Sequence, residues 1–150
     1  MPLVSVPADV DDYPGRRLGL PASGPGCVAG WGRRLLALFI DWTMSRLVVA
    51  AFLGQEVIVP TADRQTGDAL FLPILALGLE IWVLTTLLGG SAGQLMLRVV
   101  VRRTTGEPLN AWRTLIRTIL LLLVIPPVVY NRDRQGLHDL AVDSIAVMRS

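Results

Sequence analysis

Hydrophobic positions in this chain come in long blocks rather than in the short alternations of a soluble domain. The first block, Leu35 to Leu53, follows Arg33-Arg34 and is interrupted by only two charges, Asp41 and Arg46. At the rise of a helix, roughly 1.5 Å per residue, it is about as long as a bilayer core is thick. A second block, about Ala69 to Leu88, is broken by Pro73, Gly78 and Glu80 and ends at Gly89-Gly90-Ser91-Ala92-Gly93. A third, Leu115 to Tyr130, contains Arg117 and Pro126-Pro127 and is short for a straight crossing. Leu95 to Arg103 has the look of a strand before a Thr-Gly-Glu-Pro turn, Asn110 suits the N-cap of a helix beginning at Ala111, and Asp143 to Met148 is strand-like again. The pattern predicts an all-α membrane protein. Its transmembrane helices lie over 35–53 and 69–88, with a third short apolar helix over 115–130 that either crosses or re-enters. If the tail pairs with the strand near Val99, a small cytoplasmic β pairing is added and both strands lie on one side.

Composition narrows this. The chain has 150 residues, enough for one domain, of which 52% are apolar and 17% charged, below the roughly 25% charged residues of soluble domains. Residues 1–29, rich in Pro, Gly and Asp, predict a disordered cytoplasmic arm, leaving 30–150 as the membrane domain. No apolar core precedes Gly30, so the first span is expected to act as its own uncleaved insertion signal. The lone Cys27 allows no internal disulfide. Charge sets the orientation. All basic residues are arginines; Arg33 and Arg34 precede the first span, and Arg98, Arg102, Arg103, Arg113 and Arg117 follow the second. The loop between the spans holds Glu56, Asp63 and Asp68 against Arg64. By the positive-inside bias the N-terminus is cytoplasmic and the acidic loop lies outside.

Chemistry concentrates at the charges inside the blocks. With antiparallel spans, Asp41, Arg46 and Glu80 all fall within roughly 5 Å of a span midpoint and are expected to meet as a carboxylate–arginine–carboxylate cluster. One reading is an ion or proton site; the other is an ion pair that docks two helices. His138-Asp139 lacks further His or Cys ligands nearby and predicts no metal; Asp139 is expected to accept hydrogen bonds or to pair with an arginine, Arg34 if the tail is cytoplasmic. The arginines from Arg98 to Arg117 suit anionic lipid headgroups and, without an aromatic platform, not nucleic acid. Trp31 and Trp112 fall where an interfacial belt would put them. The small-residue string at 89–93 lacks the Lys-Ser/Thr of a phosphate loop and predicts tight packing or a turn.

Four stretches in this order resemble the RDD family of small prokaryotic membrane proteins. They are Arg34 to Asp41, Gly93 to Val100, Gly106 through Arg113 and Arg117, and Arg134-Gln135-Gly136-Leu137-His138-Asp139. The resemblance spans 30–150 and implies that Arg34, Asp41 and Asp139 are the name-giving positions, with Gly93, Arg113, Arg117 and His138 in support. It departs at Gln94, where relatives usually carry lysine. It also implies a multi-pass protein of a bacterial inner membrane. No nucleophile–base pair, metal cluster or nucleotide loop stands out, so no enzyme and no cofactor are expected. The expected function is a non-enzymatic accessory or assembly protein in a larger membrane complex; the alternative is a small homo-oligomeric transporter or ion/proton exchanger using Asp41, Arg46 and Glu80.

Overall fold

Two long helices carry the fold in a computed structural model that describes residues 13–54, 68–123, 131 and 133–149. The first, α1, spans Trp31–Leu53, and the second, α2, spans Asp68–Leu88. They meet along stripes spaced four apart, Ala37, Asp41, Ser45 and Val49 on α1 against Leu77, Ile81 and Thr85 on α2. Small side chains in these stripes let the backbones approach. The opposite faces are apolar yet uncovered: Phe39 is 66% exposed, Phe52 84% and Leu87 73%. Both helices are long and apolar enough to cross a membrane, and 28% of either apolar window is buried, far less than a soluble core helix receives. Helix α1 begins before its apolar block, at Trp31; Arg33 and Arg34 are good helix formers, and Gly32 is accommodated in the first turn.

After Leu88 the chain doubles back. Gly89, with φ 80°, and Gly90 make the reversal, and a five-residue helix, α3 (Ala92–Met96), starts beside the interiors of α1 and α2. Its N-cap is Ser91, closed as a capping box: Ser91 Oγ accepts from Gln94 N, and Gln94 Oε1 accepts from Ser91 N at 3.1 Å. This box is why Leu95 and Met96 are helical, correcting the strand expected from Leu95. Strand β1 is confined to Val99–Arg103, after a turn in which Arg98 takes φ 56°.

Helix α4, Ala111–Leu122, is capped by Asn110, whose Oδ1 accepts from Arg113 N at 2.9 Å. It runs back along α2 towards that helix's middle: Trp82 Nε1 donates to the Ala111 carbonyl at 2.9 Å, while Leu122 lies against Gly78, where a Cβ would come within 2.8 Å of Leu122 Cδ1. The remainder of the third apolar block, 124–130, lies outside the described residues. A short helix α5, Leu137–Leu140, leads to strand β2, Ser144–Met148, which pairs antiparallel with β1 from Val99↔Met148 to Arg103↔Ser144.

The other edge of β2 is taken by the segment before α1. Met148 N donates to the Cys27 carbonyl and Ala29 N to the Ala146 carbonyl, both at 2.9 Å. Residues 13–29, expected to be disordered, are therefore folded onto the sheet; residues 1–12 lie outside the described residues. An apolar cluster explains the correction. Val28 packs with Val100, Ile145 and Val147, and Leu18 and Leu20 close over them. On the other face Ala29, Val99, Val101, Leu109, Val142 and Ala146 form a second cluster. Burial on both faces accounts for the unbroken valine run of β1.

Candidate functional site

Buried carboxylates define two polar clusters, one on each side of a small cavity. The first stands at the start of α3. Asp41, 2% exposed, accepts from Ser91 Oγ at 2.6 Å through one oxygen and from Gly93 N at 2.5 Å through the other. Glu80 Oε1 accepts from Ala92 N at 2.8 Å. The first amides of any helix lack partners within it and carry partial positive charge. Here one acid from each long helix supplies the acceptors. The fit needs glycine at 93, because a Cβ there would collide with the Ala37 carbonyl. Gln94 also has a function: closing the capping box takes an acceptor, which the lysine usual in the family lacks.

The second cluster is centred on Asp139, fully buried between α1, α4 and β2. Its Oδ2 accepts from Arg34 Nη1 at 3.0 Å; its Oδ1 accepts from Arg117 Nε at 2.8 Å and from Ser144 Oγ at 3.1 Å. His138 Nε2 stands 3.5 Å from the same oxygen. Burial by itself would raise the Asp139 pKa. The opposing charge of Arg117, then of His138 and Arg34, outweighs it and holds the carboxyl down at about 2. Arg34 also donates to the Ala146 carbonyl at 3.2 Å, so one side chain ties the start of α1 to both α5 and β2.

Between the clusters is a cavity of about 40 Å³, lined by Arg34, Asp41, Ser91, Gln94, Arg117 and His138 among others. The structure thus gathers Arg34, Asp41, Arg117 and His138 around one space, with Asp139 behind it. Asp41 and Glu80 also come together, but at the amides of α3. Arg46 lies over the Trp42 ring, 6.0 Å from its centroid, and lines a different hollow with Phe39 and Leu47. Arg113 holds the turn before β2, donating to the Val142 carbonyl at 3.0 Å beside Asp143.

Two partners escaped the sequence reading, and each had a signal. Ser91 is the hydroxyl partner of Asp41, and Ser91-Ala92-Gly93-Gln94 has the spacing of a capping box. Arg117 is the second cation on Asp139, marked as the charge inside the third apolar block.

The described residues form a mostly helical protein with two helices long and apolar enough to cross a membrane, a small two-stranded sheet and a buried Arg–Asp–Arg group. The chain belongs to the RDD family, whose signature it matches over residues 28–143. No curated protein and no solved structure matches it significantly.

Proposed function

We propose that this chain is an integral protein of a bacterial inner membrane with two crossings. Its function is that of a non-enzymatic accessory or assembly protein, docking into a larger complex. The observation that carries this reading is the use made of the buried acids. Asp41 has both oxygens committed to Ser91 and Gly93, and Glu80 accepts from Ala92. Ala92 stands beside Glu80, roughly 12 Å back along α2 from its end, so the start of α3 would sit below the headgroups. No water is available there to receive its amides. Carboxylates do so instead, which makes them parts of a fixed joint. The exposed apolar faces of α1 and α2 then meet lipid, with further area available to a partner's helices.

Orientation follows from the arginines flanking the spans. Because β2 pairs with β1 and Arg34 reaches Asp139, the start of α1, the end of α2 and the C-terminal strand share one side. The third apolar block therefore returns to the side it left.

The transport reading keeps one specific support. Glu80 Oε2 is buried with no hydrogen-bond partner among the described residues, and such an atom is a candidate for binding a proton or cation. The two readings separate on purification in mild detergent. Co-purification with an unrelated complex is the result expected here; a stable homo-oligomer that catalyses ion flux in proteoliposomes, and loses it in Glu80→Gln, would overturn it.

A further inference from the structure

The cavity between the two polar clusters takes Asp41 from α1 and Arg117 from α4 as lining residues, one from each cluster. Arg117 gives its Nε–H to Asp139 at 2.8 Å and is 2% exposed. Its Nη1 is buried with no hydrogen-bond partner among the described residues. A buried donor of this kind calls for an acceptor. Asp41 has capacity to spare. Its oxygens accept one bond each, from Ser91 and from Gly93, whereas a carboxylate offers about four acceptor sites.

Size and charge decide what fits between them. The cavity measures about 40 Å³. A water needs roughly 10–15 Å³ of such space and two to four polar partners, so one or a few waters fit and a phosphate does not. The charged groups are matched in number. Arg34, Arg117 and His138 stand on the basic side; Asp41, Asp139 and, at the same helix start as Asp41, Glu80 stand on the acidic side. Fully ionised, the set offers no net charge to select an ion of either sign.

We propose that this cavity is a binding site for ordered water that bridges Arg117 to Asp41. The water accepts from Arg117 Nη1 and donates to the Asp41 carboxyl group, directly or through a second water. It thereby links the cluster that holds the start of α3 to the cluster that holds α5 and β2. Helices α1 and α4 are joined by a polar bridge across the cavity, and the two joints respond to perturbation as one network.

The test uses crystals of the full chain, grown once with bromide in place of chloride and once with rubidium in place of sodium. Density for water should lie within hydrogen-bonding distance of Arg117 Nη1 and lead to an Asp41 oxygen, with no anomalous signal from either ion. An anomalous peak in the cavity, density for a larger molecule, or an empty cavity in a map that shows other buried solvent would each overturn the proposal. A second measurement reads the link between the clusters. In the chain labelled with nitrogen-15 at arginine and held in mild detergent, Asp41→Asn changes the far end of the bridge and leaves the partners of Asp139 in place. The Arg117 Nη resonances should shift; unshifted resonances in the folded variant would overturn the bridge. If that variant does not fold, the solvent density in the native chain decides.

Discussion

Asp41 and Asp139 are the same residue type, both buried, and they are stabilised in opposite ways. Asp41 takes hydroxyl and amide donors and, among the described residues, no guanidinium, whereas Asp139 sits between two arginines. Removing one partner of a buried ion pair costs about 3–5 kcal/mol because the other charge stays behind. Asp139→Asn strands two guanidiniums and should lower stability by at least that much, read as a loss of folded protein in a thermal or denaturant series. The lowered Asp139 pKa also fixes the sign of an acid effect. The carboxyl has an ordinary pKa of 3.8 in the unfolded chain and about 2 in the fold, so its contribution is present above the higher value and lost as pH falls through the lower. The fold should weaken by roughly 2 kcal/mol between about pH 4 and pH 2, and this step should vanish in Asp139→Asn. Exchanging the charges, Arg34→Asp with Asp139→Arg, should fail to rescue expression, since it sets a second guanidinium against Arg117. At the first cluster, Ser91→Ala removes one donor from Asp41 and the cap from Gln94 N, costing about 1–3 kcal/mol. Gly93→Ala should cost more, because the collision is with the Ala37 carbonyl and backbone cannot rotate aside.

Among the elements, α3 is the least conspicuous and the one that fixes the rest. Five residues long, it has no stability of its own. It exists because Ser91 and Gln94 cap it and because Asp41 and Glu80 receive its first amides. From there it descends along α1 until the Leu97 carbonyl accepts from Arg33 Nη1 at 3.1 Å, delivering the chain to β1. The capping box was legible in the sequence. The apolar run Leu95-Met96-Leu97 nevertheless suggested a strand, because local pattern does not reveal two acceptors arriving from distant helices. The pairing of β2 with β1 gives the proposed topology its test at this scale. With Val99 paired to Met148, a reporter fused after Ser150 should report the same side of the membrane as one fused before Met1. Opposite sides would mean that the block crosses and that this pairing does not form in the bilayer.

As a whole molecule the protein is a lopsided assembly: a pair of long helices with apolar outer faces, and at one end a polar clasp and a small sheet. Two such helices do not enclose a pathway. A transporter built on this chain must be an oligomer, whereas an accessory protein needs only a face for its partner. The long-axis faces carrying Phe39, Phe52 and Phe71 supply that area. The mass of the extracted particle, together with the identity of whatever travels with it, therefore distinguishes the two functions.

Sequence alone determined the blocks. Apolar length, the arginine bias around it and the order of the signature stretches depend on composition along the chain, so the two long helices and the family are readable without a fold. It also offered Arg34 as one partner for Asp139, on the condition that the tail lay on the cytoplasmic side. What only the tertiary structure decided is which groups satisfy which. Asp41 and Glu80 looked like partners for Arg46, but Asp41 accepts from the Ser91 hydroxyl and the Gly93 amide and Glu80 from the Ala92 amide, while Arg46 lies over Trp42. Arg117 joins Asp139 because α4 folds back along α2, and residues 13–29 are ordered because β2 offers them an edge. Hydrogen-bond partners far apart in sequence are chosen by the path of the backbone, and no local pattern encodes that path.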